Sequence, residues 1–314
     1  MPSTQEFRRR IKSVNNTKQI TKAMEMIASI KMQKATRFAA MARSYTQNAW
    51  NMLSKLAAIV LPENHPLLNP RTVRQTAVIL ITSDRGLCGS YNSEVLKKFV
   101  AFEKEQCDCK AEGSPSGRTT CGEYIGNCDV IAVGKKGAEF TKRYKTGKLI
   151  AEFPGFENNI QPEDVTPISK MTSDEYLAGK YDRVIVIYSH FESSLRQIPV
   201  VKQILPISDE HIDKAGIWTE EDPSTSSGQV EYKFEPSPDA VLEGILKQFL
   251  RVQIYGSILE ANASEHSARM VAMKNATDSA GDLIDELKLI YNSVRQGSIT
   301  REIAEISGAA EAMK

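Results

Sequence analysis

With 314 residues and 41% hydrophobic composition the chain can bury a core of ordinary size, and its length fits one or two domains. Lys plus Arg number 40 against 39 Asp plus Glu, so no global excess points to nucleic acid or to an acidic tail, and any electrostatic message is local. No apolar run approaches the roughly 20 residues that span a bilayer, "MPSTQEFRRRIKSVNN" lacks the core of a secretory signal, and an odd five cysteines do not describe a disulfide-stapled fold, so a cytosol-facing protein is expected.

From about Thr4 to Leu61 there is no Pro and no Gly, and Ala, Met, Lys, Arg, Gln and Ile dominate, which predicts one very long helix. Phe38, Ala42, Tyr45, Ala49, Met52, Leu56 and Ile59 recur at alternating spacings of four and three, the period of a helix seam that needs a partner helix. Residues 1–43 hold ten bases and two acids, a local charge of +8 that suits an acidic surface, a solvated face or a paired helix.

The middle of the chain changes texture. "TAVILITSD", "CDVIAVG", "KLIAEF" and "RVIVIYSHF" predict strands, and "SEVLKKFVAFEKE", "GKKGAEFTKRY" and "TSDEYLAGKY" predict helical pieces between them, the alternation of a small α/β domain. "VVKQILPI" and "QVEYKFEPSP" predict further strands, separated by the polar loop "EEDPSTSSGQ". From about Asp239 onward Pro disappears again, and Met273, Ala276, Ala280, Leu283, Leu287, Ile290 and Val294 repeat at three and four, predicting a second long helix with a net charge of −3 over residues 239–314. The expected division is a helix over 1–61, a globular domain over 73–236 and a helix over 237–314. The two helices are expected to pair antiparallel.

"SDRGLCGSYN", after the first strand and before a helix, has the placement of a phosphate-cradling loop. Its glycines are separated by two residues, where the P-loop needs four followed by Lys and Ser or Thr. "GSPSGRTT" has three intervening residues, Arg118 in place of Lys and no preceding apolar strand, and no G-x-G-x-x-G occurs. The four histidines show no metal spacing, and Cys107, Cys109, Cys121 and Cys128 match no common zinc pattern. No catalytic, cofactor-binding or metal-binding residue is assigned.

Three stretches, "RRRIKSVNNTKQITKAMEMIASIKMQKA", "SDRGLCGSYN" and "ASEHSARMVAMKNATDSAGDLIDELKLIYNSVRQGSITREIAEISGAA", closely resemble the gamma-subunit family of the rotary F-type ATP synthase, and the likeness runs essentially end to end. It implies an α/β fold class with a long antiparallel two-helix coiled coil from the N- and C-terminal segments plus a small α/β (Rossmann-like) domain between them. The implied role is a non-catalytic shaft without a cofactor. Its implied partners are the alpha and beta subunits of the head, the epsilon subunit and the membrane c-ring. No direct membrane span and no nucleic acid are expected, and the implied location is the cytoplasmic face of the cell membrane, held through the complex. An α/β nucleotide-binding protein and a static coiled-coil tether are the competing readings.

By the same resemblance Met24, Arg85, Cys88, Arg269, Gln296, Thr300, Glu302 and Glu305 match head-contacting positions, and Tyr232, Phe234 and Glu235 match the foot that rests on the ring. Phe234 stands where relatives often carry Tyr, and the spacing from Glu305 to Gly308 is one residue shorter than usual in the family, so contacts are assigned only up to Ser307. The Cys-bearing loop from Gln106 to Tyr124 is longer than in most relatives and does not coincide with the redox insert of chloroplast forms.

Overall fold

The computed structural model describes residues 4–57, 65–111, 128–156, 160–207 and 238–313. Helix α1 (Thr4–Ala57) is free of Gly and Pro, and at about 1.5 Å per residue its 54 residues extend some 80 Å. A parallel core follows: β1 (Thr76–Ile81), α2 (Tyr91–Ala111), β2 (Cys128–Val133), α3 (Lys135–Tyr144), β3 (Lys148–Phe153), α4 (Thr166–Leu177) and β4 (Arg183–Phe191). Strand β5 (Gln197–Leu205) returns antiparallel, and α5 (Pro238–Ala312) takes up the remaining 75 residues.

The sheet order is β3-β2-β1-β4-β5, with β1 central and hydrogen-bonded to β2 and β4 in parallel. β1 and β2 are buried at every position because both of their faces are covered, which is why "TAVILI" and "CDVIAV" are continuously apolar rather than alternating. Val78, Leu80, Val130, Ile185 and Ile187 meet Val95 and Phe99 of α2 on one face. Ile79, Ile81, Val186 and Tyr188 meet α4, a short stretch of α1 and the large side chains of α5, including Leu246, Phe249, Leu250, Ile254 and Ile258, on the other. Pro199 sits on β5, an outer strand where a missing N–H is tolerated.

The predicted strands up to "RVIVIYSHF" and the strand in "VVKQILPI" are present. "QVEYKFEPSP" lies outside the described residues apart from its final Pro238, and α4 begins at Thr166 rather than at Thr172, with Pro167 in its first turn where a fixed φ favours helix initiation.

The chain forms two compact units, Met1–Ile30 with Arg269–Lys314, and Lys31–Ala268. In the first, the helices run antiparallel in constant register: Arg8 Nε donates to Tyr291 Oη at 2.9 Å, Lys18 Nζ lies against Gly281, and the hydroxyls of Thr21 and Thr277 hydrogen-bond at 2.8 Å. The covered face of α1 here is Phe7, Ile11, Val14, Lys18, Thr21, Glu25 and Ala28, and that of α5 is Met273, Thr277, Ala280, Ile284, Leu287, Tyr291 and Val294. In the second unit α1 turns Met32, Ala35, Ala39, Ala42, Thr46 and Ala49 inward.

These faces correct half of the expected seam. Ala42, Ala49, Met273, Ala280, Leu287 and Val294 lie on it, whereas Phe38, Tyr45, Leu283 and Ile290 are exposed and Ala276 is half-buried beside it. The second row of each seam is displaced by one residue, to Ala39 and Thr46 on α1 and to Thr277, Ile284 and Tyr291 on α5. Choosing the larger apolar residue at each step fails because the covered face of α1 uses small side chains, and because threonine hydroxyls satisfy one another across the seam. Met52, Leu56 and Ile59 lie beyond the side chains described.

Candidate coupling surfaces and a polar junction

The turn after β1 is built around Ser83 and Asn92. Asn92 Oδ1 accepts the Ser83 N–H at 3.1 Å, its Nδ2 donates to Ser83 Oγ at 2.7 Å and to Cys88 Sγ at 3.2 Å, and Ser83 Oγ donates to the Arg85 carbonyl at 2.7 Å. This small network pulls Cys88 inside, where it is 1% exposed, and turns Leu87 outward at φ 64° with 62% of its surface exposed. Arg85 is exposed on the same turn. Of the two residues assigned there, Arg85 faces solvent and Cys88 organises the turn from within.

The sheet has the strand order in which α/β proteins bind ligands at the carboxyl edge, beside the central strands. That edge is internally occupied. Asp84 Oδ1 accepts the N–H of Lys135, the first residue of α3, at 2.9 Å, and the N–H of Gly155 at 3.0 Å. Glu94 stands in the first turn of α2 and accepts the Ser90 hydroxyl at 2.7 Å. The two helix N-termini that would attract a phosphate therefore already carry the chain's own carboxylates.

In the first unit Met24 and Arg269 are half-buried, on α1 and α5 respectively. Gln296, Thr300, Glu302 and Glu305 are exposed, as is every residue from Arg295 to Ala309. Ile299, Ile303 and Ile306 form an uncovered apolar stripe on this stretch at helical spacing, and Ile20, Ile27 and Ile30 form another on α1, away from the seam. Tyr232, Phe234 and Glu235 lie outside the described residues. Among the described residues no helix is long and apolar enough to cross a membrane, and no group of His, Cys, Asp or Glu has metal-ligand geometry.

The sequence reading missed a buried polar junction in the second unit. Glu260 of α5 accepts Arg43 Nη2 of α1 on Oε1 at 3.2 Å, and Tyr188 Oη and His190 Nδ1 of β4 on Oε2 at 3.1 and 2.8 Å. Because an ionised carboxylate only accepts, Nδ1 is the protonated nitrogen of His190. Lys202 Nζ of β5 donates to Gln253 Oε1 of α5 at 2.5 Å. Burial raises the Glu260 carboxyl, but the hydrogen bond and charge of His190 with the charges of Arg43 and Lys202 outweigh it and leave the group below its ordinary value. Burial also pulls Lys202 down to about 8 against the attraction of Glu260, and it raises Tyr188. Arg43 precedes Glu260 by 217 residues and His190 precedes it by 70, so no local pattern announces the group.

A mixed sheet domain carried in the chain between two long terminal helices that pair antiparallel is the architecture of a central-stalk type of subunit. The family model described as ATP synthase matches residues 3–313. The ATP synthase gamma chain of Heliobacterium modesticaldum is 37% identical over 314 residues, covering the whole of both chains, and that of Roseiflexus sp. is 38% identical over 315 residues, covering 100% of this chain and 99% of the relative. The fold is similar to a chain in the Tetrahymena thermophila mitochondrial ATP synthase central stalk and c-ring structure, with TM-score 0.53, 23% identity and coverage of 82% of this chain and 99% of that one. This chain belongs to the ATP synthase gamma chain family.

Proposed function

We propose that the chain is the central rotor shaft of an ATP synthase, turning between a membrane ring and a head of alpha and beta subunits, with the epsilon subunit beside it, on the cytoplasmic face of the cell membrane. Its own contribution is mechanical. Rotation presents a different face of the helix pair to each beta subunit in turn and biases the catalytic sites among conformations of different nucleotide affinity.

The observation that supports this best is the first unit: an in-register antiparallel helix pair, with a fully exposed stretch of α5 and two uncovered isoleucine stripes. Such stripes ask for partners, while Gln296, Thr300, Glu302 and Glu305 offer polar contacts of small individual energy that suit a surface which must touch without sticking. The carboxylates already seated at the helix N-termini of the sheet domain support a non-catalytic role.

A crosslink distinguishes a rotor from a static tether. Cys88 is too deeply buried to serve, so the thiol belongs on the same turn at Leu87→Cys, paired with a cysteine on the facing beta subunit. The oxidised complex is expected to lose ATP turnover and regain it on reduction. Turnover unaffected by the crosslink favours the tether, and tight ATP binding by the purified chain alone favours the nucleotide-binding reading.

A further inference from the structure

We propose that Glu260 is a positioning residue that fixes the rotational register of α1 and α5 against the sheet, so that torque applied to the sheet domain passes into both helices. The inference rests on the rotor reading and adds the place where the force crosses between elements. Its basis is the division of labour on a single carboxylate. Glu260 belongs to α5, gives Oε1 to Arg43 of α1, and gives Oε2 to Tyr188 and His190 of β4. One side chain therefore joins three elements of the same unit, and Lys202 through Gln253 adds β5 to α5 alongside it.

The apolar packing explains why such a group is needed. Against the sheet, α5 presents Leu246, Phe249, Leu250, Ile254 and Ile258, large side chains whose interlocking resists sliding. Beyond Met32, the inward face of α1 offers Ala35, Ala39, Ala42, Thr46 and Ala49, short side chains that pack closely but leave shallow relief. A smooth surface gives little resistance to a helix turning about its axis or shifting along it. Directional charge-assisted bonds have one geometry, and buried polar groups are best attested as fixers of register. Arg43 is itself exposed, but its bond ends on the buried Glu260 carboxylate and supplies for α1 what its alanines do not.

The test uses the assembled complex with its head immobilised and a probe on Leu195→Cys, a residue 84% exposed in the β4–β5 turn. The angular spread of the probe is recorded in the nucleotide-arrested state. The double variant Arg43→Met with Glu260→Gln removes both ends of the tie, which spares stability compared with stranding one buried charge. If that tie supplies about half of the resistance to twisting, the angular variance roughly doubles in a complex that still assembles, beyond the widening of a core variant with the same lowered unfolding midpoint. Tyr188→Phe, which removes one donor and leaves every charge in place, is expected to give a smaller widening and decides the matter if the double variant does not assemble. Unchanged spread in the variants that assemble overturns the inference, as does a widening that tracks lost stability alone. A wild-type complex that does not turn under ATP overturns the rotor reading, and this inference with it.

Discussion

Gly134 adopts φ 98°, and a Cβ built there would lie 2.1 Å from the carbonyl oxygen of Thr82. The residue links β2 to α3 at the point where the backbone passes closest to the end of β1, so any side chain meets both a steric and a conformational penalty. Gly134→Ala is expected to destabilise the chain by about 2 kcal/mol or more, read as a lower urea midpoint. Glu260 yields a prediction of a different kind. Its carboxyl is held below the ordinary value of 4.5, so its contribution is full at neutral pH and is lost as the pH falls through the folded value. The stability advantage of wild type over Glu260→Gln should therefore shrink on acidification. Lys202 has the opposite sense: lowered from 10.5 to about 8, it makes the folded state bind fewer protons than the unfolded, and its contribution rises with pH between those values. Lys202→Met should flatten the alkaline rise in urea stability.

At the scale of elements, the helix seam is tested by two neighbouring leucines. Leu287 is 9% exposed and Leu283 is 43% exposed. Leu287→Asp buries an unpaired charge and should cost about 3 kcal/mol or more, with loss of helix pairing, whereas Leu283→Asp should stay within about 0.5 kcal/mol. Circular dichroism melts of the two variants, together with assembly into the complex, check the assignment. The same pair shows how far sequence reading reaches. Strands β1 and β2 were legible because continuous β-branched runs have few other uses, and the long helices because nothing in them breaks a helix. Only one row of the seam was legible, since spacings of three-then-four and four-then-three share every other position, and tertiary packing selects between them. The turn of Arg85 and Cys88 could be found from its glycines, but the inward direction of Cys88 depends on Asn92, whose role is visible only once α2 is in place. Glu260 was not legible at all, because its partners come from α1 and β4 and meet only in the folded unit.

On the scale of the whole molecule, the chain has the strand order of a nucleotide-binding domain yet places Asp84 on the first N–H of α3 and Glu94 in the first turn of α2, and it extends both ends into helices of 54 and 75 residues. On the proposed rotor reading, the fold is a mount for helices. Affinity purification of the full chain from its native cells is expected to bring down the other subunits of an ATP synthase in defined proportion, identified by mass. A chain recovered alone would remove the support for the rotor reading.

The alanine-lined face of α1 also bears on the order in which heat dismantles the second unit. Burying a methyl group removes far less water-exposed area than burying a leucine or a phenylalanine, so the segment around Ala35 to Ala49 is held to the sheet domain more weakly than α5 is. On gradual warming, a protease should nick this stretch before the sheet-packed part of α5 and leave a fragment in which α5 still shields the β-strands.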